Sequence, residues 1–259
     1  MEWTCRELIG EEDLAQCISL QRATWGDDFR ELVPPAMLMV AQKVGGILLG
    51  AFGPDGRLIG FVFGLTGVLD GHPVHWSHML AVDAAWRDRG LGQALKHRQR
   101  ERLVAQGIDR ALWTFDPLVA RNANLNLNRL RARILEYVPD MYGANPMSSA
   151  DSVIGSDRFL VEWNLGETGE TPVPATTDAP RIALSDASDW AATLPSAPAV
   201  LLSIPEDIQD LKRRAPETAR AWRRLTRRAF MHYLAAGYRV SGFQRGPGMP
   251  AYVIERADD

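Results

Sequence analysis

The chain has 259 residues, 46% of them hydrophobic, which is enough to bury a full core without disulfides. Its formal net charge of −3 excludes a general attraction to nucleic acid, because such binding is dominated by phosphate neutralisation. The two cysteines, Cys5 and Cys17, form no C-x-x-C or Cys/His ligand pattern, no run approaches the roughly 18 apolar residues of a membrane helix, and the N-terminus has no apolar stretch of signal-peptide length, so the expectation is a cytoplasmic protein without membrane contact.

In chain order, a short first strand precedes a helix whose first turn is acidic (Glu11, Glu12, Asp13) and whose Leu14, Cys17 and Ile18 recur at helical spacing. A second helix is expected from Pro34-Pro35 to Gly45-Gly46. The period then changes: residues 47–52 and 58–63 are apolar runs joined by Gly53-Pro54-Asp55-Gly56, the turn chemistry of antiparallel strands. Residues 76–82 read as a further strand, followed at once by Arg87-Asp88-Arg89-Gly90-Leu91-Gly92-Gln93 and by a helix that Gly107 closes. Residues 111–115 form the next strand, 120–137 are helical in pattern, and 159–163 are again a strand.

Residues 166–180, rich in Gly, Pro, Thr and Glu, read as a linker between a domain of residues 1–165 and a structured extension of residues 181–259. In the extension, a strand at 199–204 precedes a helical stretch at 206–234 broken at Pro216, and strands at 238–243 and 252–254 follow. The fold class is α/β.

The loop Arg87-x-x-Gly90-x-Gly92 between a strand and a helix carries the chemistry. Glycines let backbone N–H groups surround phosphate oxygens, and the helix N-terminus adds its positive dipole end. There is no Gly-Lys-Ser/Thr as in a P-loop, and neither the third glycine nor the acidic ribose partner of a dinucleotide fold. His72, His75 and His78 do not make a metal site, because in a strand His75 points away from the other two and no carboxylate or cysteine completes the set; no metal is expected. Arg223, Arg224, Arg227 and Arg228 read as a solvated helix face or a partner contact. No Gly-x-Ser-x-Gly elbow or Cys/His nucleophile signature is present.

The pattern of strand, helix, helix and hairpin, with Arg87-Asp88-Arg89-Gly90-Leu91-Gly92 behind His78-Met79-Leu80-Ala81-Val82, resembles the GNAT superfamily of acyl-CoA N-acyltransferases. Thr114-Phe115-Asp116-Pro117-Leu118, the Asn-rich run from Asn122 to Asn128, Tyr142-Gly143, Asp157-Arg158, Ile204-Pro205-Glu206-Asp207, Trp222-Arg223 and Gly237-Tyr238 resemble a large-subunit subgroup of that family. The resemblance implies a mixed, mostly antiparallel sheet flanked by helices, with a C-terminal α/β extension. It implies acetyl-CoA or another short acyl-CoA as co-substrate, its pyrophosphate on Arg87, Asp88, Arg89, Gly90, Leu91, Gly92 and Gln93, and its pantetheine arm along Leu80, Ala81 and Val82.

Asn122 and Asn126, four apart, would share a helix face and reach the pantetheine amides or close the loop. By the resemblance Leu127 stands where the family has its tyrosine acid, which leaves thiolate protonation to another group or to water, with Tyr137 and Tyr142 the nearest candidates, and His78 as a candidate base for the amine, directly or through water. The expected acceptor partner is a small-molecule amine, with no nucleic-acid or membrane partner. The extension is open to two roles, a homodimer element or a lid. The alternative function is a non-catalytic acyl-CoA-binding module.

Overall fold

A computed structural model describes residues 2–143, 154–166, 179–185, 188, 191, 193–245 and 248–257. It divides into two compact units, Met1–Trp113 with Glu162–Thr168, and Thr114–Val161 with Gly169–Asp259. The division does not fall at the expected boundary of residue 165: the chain changes units inside two strands, because the residues after Trp113 make their core with the C-terminal segment. Of the expected linker, all but Gly166, Ala179 and Pro180 lie outside the described residues.

In the first unit β1 (Thr4–Glu7) leads to α1 (Gly10–Trp25) and α2 (Pro35–Lys43). The acidic first turn of α1 caps its own helix. The Asp13 carboxylate accepts from the Ile9 backbone N–H at 2.8 Å and pairs with Arg6, supplying an N-terminal cap that Ile9's own side chain cannot. Proline starts α2, and Gly45 at φ 89° ends it. Strands β2 (Ile47–Phe52), β3 (Leu58–Leu69) and β4 (His72–Val82) follow as an antiparallel meander.

Both β3 and β4 are longer than the apolar runs predicted. They close through Asp70 and Gly71, each at positive φ, in the geometry of a two-residue hairpin turn. Phe61, Val62 and Phe63 of β3 are fully buried, each contributing about 1.5–3 kcal/mol of apolar burial. Helix α3 (Leu91–Ala105) packs on β2, β3 and β4 through Leu91, Leu95 and Leu103. The strand order in this unit is β1-β2-β3-β4-β5-β7, where β5 is Arg110–Phe115 and β7 is Arg158–Asn164.

In the second unit the helical pattern predicted for 120–137 ends early. A short helix α4 (Ala120–Ala123) widens into a π-turn (Asn124–Arg129), Arg131 takes φ 58°, and β6 (Arg133–Val138) follows, next to β7 in the order β5-β7-β6. A left-handed residue halts a helix, and Arg-Ile-Leu-Glu-Tyr-Val then runs as a strand with Tyr137 as its buried residue. A separate four-stranded sheet has the order β10-β11-β9-β8, from β8 (Arg181–Ile182), β9 (Ala199–Ser203), β10 (Tyr238–Gln244) and β11 (Ala251–Arg256). Helices α5 (Ile208–Arg214) and α6 (Pro216–Ala235) lie between β9 and β10 in sequence, and Phe159, Phe230, Phe243 and Tyr252 interlock edge to face in the core of this unit.

The arginine run on α6 is a solvated face only in part: Arg224 is exposed, whereas Arg223 and Arg227 meet acids. Arg223 is 3% exposed and donates to Asp116 at 2.8 Å, and Arg227 pairs with Asp157 and, at 2.7 Å, with Asp140. Among the described residues no helix is long and apolar enough to cross a membrane, and no group of His, Cys, Asp and Glu could hold a metal ion.

Candidate active site

The first unit builds the site around β4. At Trp76 the strand is paired on both sides, with Leu65 of β3 and with Leu112 of β5. Immediately past Trp76 both pairings change. On the β3 side Phe63 faces Met79 while Leu65 faces Trp76, so Ser77 and His78 bulge opposite the single residue Gly64. On the β5 side the parallel pairing covers only His75–Ala111 and Trp76–Leu112. From Ser77 to Val82 that edge of β4 has no strand partner among the described residues, which leaves backbone groups able to bind an extended ligand.

Odd-numbered residues of β4 from His75 to Ala81 are buried, whereas His78, Leu80 and Val82 are exposed or half-buried. The His78 ring meets Phe63 edge-on, at 6.1 Å between centroids. Desolvation lowers its pKa, and Glu31 opposes the shift, so the imidazole is neutral at pH 7 and able to accept a proton.

The chain leaves the free edge directly into the loop. Asp83 caps a single 3-10 turn (Ala84–Trp86) by accepting from Ala85 N at 2.9 Å, and Arg87 Nε donates to the Val82 carbonyl at 3.1 Å. Asp88 and Gly90 both take left-handed conformations, at φ 59° and 80°, so the chain turns tightly into α3. The first helical bond there runs from Ala94 N to Gly90 O at 3.0 Å. The amides of Leu91, Gly92 and Gln93 precede that bond and have no acceptor within the helix, the arrangement that binds anions at a helix start. Arg89 lies over the Trp86 ring at 5.6 Å.

The remaining expected residues belong to the second unit. Asn126 is buried and Asn122 half-buried on the short helix and its π-turn, so the regular four-residue face assumed for the pair is widened by the π-geometry. Tyr137 lies in β6, not on a helix. Its buried hydroxyl donates to Asp157, and burial followed by the Asp157 charge pushes its pKa up. Burial alone would raise Asp157, but the Arg227 guanidinium overrides it and holds that carboxyl below its ordinary range. Tyr142 is half-buried, its hydroxyl 3.1 Å from Thr114 Oγ1.

Phenylalanine substitution separates the two tyrosines. Tyr137→Phe is expected to lower unfolding free energy by about 1 kcal/mol in urea titration, with kcat unchanged. Tyr142→Phe tests the remaining candidate: a kcat equal to that of wild type removes Tyr142 as the acid.

The first unit also contains a buried polar cluster not foreseen from the sequence: His75, Ser77, Lys96 and Gln99. For Gln99 alone a signal was present, since Leu91, Leu95 and Leu103 define an apolar stripe that it interrupts at the same spacing.

Residues 15–126 match the model of the acetyltransferase (GNAT) family. Among solved structures, the chain is similar to a putative phosphinothricin N-acetyltransferase (16% identity, 64% of this chain and 100% of that one, TM-score 0.50). It is also similar to the NatC complex bound to Gag peptide and CoA (15%, 63% and 99%, 0.48) and to Arabidopsis thaliana Naa50 with the bisubstrate analogue CoA-Ac-MVNAL (14%, 62% and 98%, 0.49). None of the curated proteins matches the sequence. The expectation of a small-molecule amine as partner is corrected by these matches, which include a complex with a peptide; acceptor pockets are built from variable loops, so the sequence pattern of the fold does not carry acceptor size. The matched span contains β4, the loop and α3, so the likeness to the acetyltransferase (GNAT) family falls on the elements that build the site.

Proposed function

We propose that this protein transfers an acetyl or other short acyl group from acyl-CoA to an amine by direct attack on the thioester. The observation that carries the reading is the continuity of the free β4 edge, from Ser77 to Val82, with the left-handed loop and the α3 N-terminus. In this reading Leu80, Ala81 and Val82 hydrogen-bond the pantetheine arm through their backbone. Arg87 to Gln93 hold the pyrophosphate through amides and the helix dipole.

The amine nitrogen attacks the thioester carbon, and the oxyanion is stabilised by a backbone N–H of β4. Collapse breaks the C–S bond, the amine proton passes to His78 directly or through water, and the departing thiolate takes its proton from water. No covalent enzyme intermediate is needed.

The test is calorimetric titration with CoA, acetyl-CoA and succinyl-CoA, combined with thiol release in a panel of amino acids, polyamines and peptides with free N-termini. Binding with release establishes the activity and sorts the acceptors by class. Absence of binding would remove the loop assignment, and binding without release across the panel would favour a non-catalytic acyl-CoA-binding module.

A proton-accepting His78 makes a pH prediction. The imidazole must be neutral to act, and its pKa is lowered from the ordinary value, so kcat/KM should rise through a midpoint below about 6.5 and then level off. His78→Gln is expected to lose that limb and about tenfold in kcat/KM. A pH profile identical to the wild type would exclude the role.

A further inference from the structure

Lys96 is 2% exposed and, among the described residues, has no carboxylate partner. Its ammonium donates to Ser77 Oγ at 2.9 Å and to Gln99 Oε1 at 3.0 Å, and it sits 3.7 Å from the centroid of Trp113, with Trp163 at 5.8 Å. Ser77 Oγ also donates to Gln99 Oε1 at 2.9 Å. With its oxygen so engaged, the Gln99 amide presents its nitrogen to His75 Nε2 at 3.0 Å. His75 Nδ1–H then donates to Thr66 Oγ1 at 3.2 Å, and Thr66 donates on to the Gly45 carbonyl at 3.1 Å. Every partner in this relay is satisfied, and the direction of every bond follows from the ammonium at its head.

For folding alone the arrangement is unfavourable. Burying an ammonium without a counter-ion costs free energy, and an apolar residue of the same volume would serve the core better. A polar residue that breaks the rule of its own helix face points to function. What the ammonium grips is Ser77, the first residue past the point where β4 loses β5 and the residue at which it bulges away from β3. The cluster also holds His75, which lies against Gly64 across that bulge.

We propose that Lys96 is a positioning residue that fixes the β4 bulge, and so the free edge on which the acyl-CoA arm is bound; this rests on the reading of that edge given above. The cation–π contact with Trp113 and the bond to Ser77 hold the strand at the angle the ligand needs, without touching the ligand. Desolvation draws the Lys96 pKa down to about 7, so its charge changes near neutral pH. The other groups around it do not compensate. His75 is kept neutral, at about 3, by burial and by Lys96 itself, His97 packs on Trp163, Arg100 is bonded to the Leu165 carbonyl at 2.7 Å, and Arg110 pairs with Glu162.

The experiment compares wild type, Lys96→Met and Ser77→Ala by CoA titration and urea unfolding between pH 6 and 9. Lys96→Met should be at least as stable as wild type at pH 6 while binding CoA about tenfold more weakly, a split that a merely structural lysine would not give. Because the folded pKa is below the unfolded one, the unfolded state holds the extra proton above pH 7. Wild-type stability should therefore rise from pH 7 to 9 while CoA affinity falls, and both trends should be absent in Lys96→Met.

Ser77→Ala keeps the ammonium on Gln99 and should reproduce the weakened binding, which keeps the test decisive if the methionine variant fails to fold. Wild-type binding with equal affinity in both variants would overturn the role of Lys96 and leave the function intact. Failure of the wild type to bind CoA would overturn the edge reading and this inference with it.

Discussion

Replacing Gly90 by valine is expected to weaken CoA binding by about 100- to 1000-fold, with little loss of fold stability. Gly90 holds φ 80° and ψ −1° at the N-terminus of α3, and a Cβ built there meets nothing within 4 Å. The substitution therefore introduces no clash. The penalty is conformational: a left-handed β-branched residue costs roughly 1–2 kcal/mol, and the chain can escape it by rotating φ to negative values.

That rotation redirects the amides that lead into the helix. Loss of two bonds to a charged phosphate, each at the lower end of about 1.5–3 kcal/mol, totals about 3–4 kcal/mol and gives the stated range. Titration calorimetry with CoA, alongside thermal unfolding, checks both halves of the expectation. Gly90→Ala should fall between wild type and valine, because alanine tolerates left-handed φ better than a β-branched residue. Affinity within threefold of wild type in Gly90→Val would mean that the loop does not carry the diphosphate.

This loop was legible in the sequence because glycine at a strand-to-helix junction is a backbone requirement, and backbone requirements appear as residue identity. The hairpin core was legible for a related reason, since β2 and the first half of β3 are buried along their length and so read as apolar runs. The second halves were not, because Leu65 to Leu69 are half-buried or exposed and interrupted by Gly67. The Asp70-Gly71 pair was the available signal for that turn.

Past Trp113 the reading weakened. A helical period fits 120–137 by spacing alone, but Arg131 adopts a left-handed φ that no propensity forecasts, and residues 133–138 then form a strand whose burial does not alternate. The basic run on α6 misled in a different way. Arginines are solvated unless acids meet them, and the acids that meet Arg223 and Arg227 are Asp116 and Asp157, up to 107 residues away in sequence. For the same reason no local pattern could show Lys96 as buried: its partner Ser77 is 19 residues earlier, on another element.

Gly64→Ala is expected to destabilise the protein by about 3 kcal/mol, the upper end of the cost of overpacking a core. At an ordinary strand position the same change would stabilise slightly, through the lower entropy of the unfolded chain. Here a Cβ would fall 2.6 Å from the Trp76 carbonyl and 2.8 Å from His75 Cε1. Neither can retreat. Trp76, like His75, is paired on both sides of β4, and the His75 ring is held between Gln99 and Thr66.

The methyl group therefore forces a choice between moving the bulge and breaking the Gln99–His75 bond, and each leaves buried polar groups unpaired. Urea unfolding measures the loss. Combining Gly64→Ala with Lys96→Met should give a smaller penalty than the sum, because both act on one hydrogen-bonded unit. Simple additivity would show that the bulge and the Lys96 cluster are independent, and a Gly64→Ala variant as stable as wild type would show that the bulge yields to added volume.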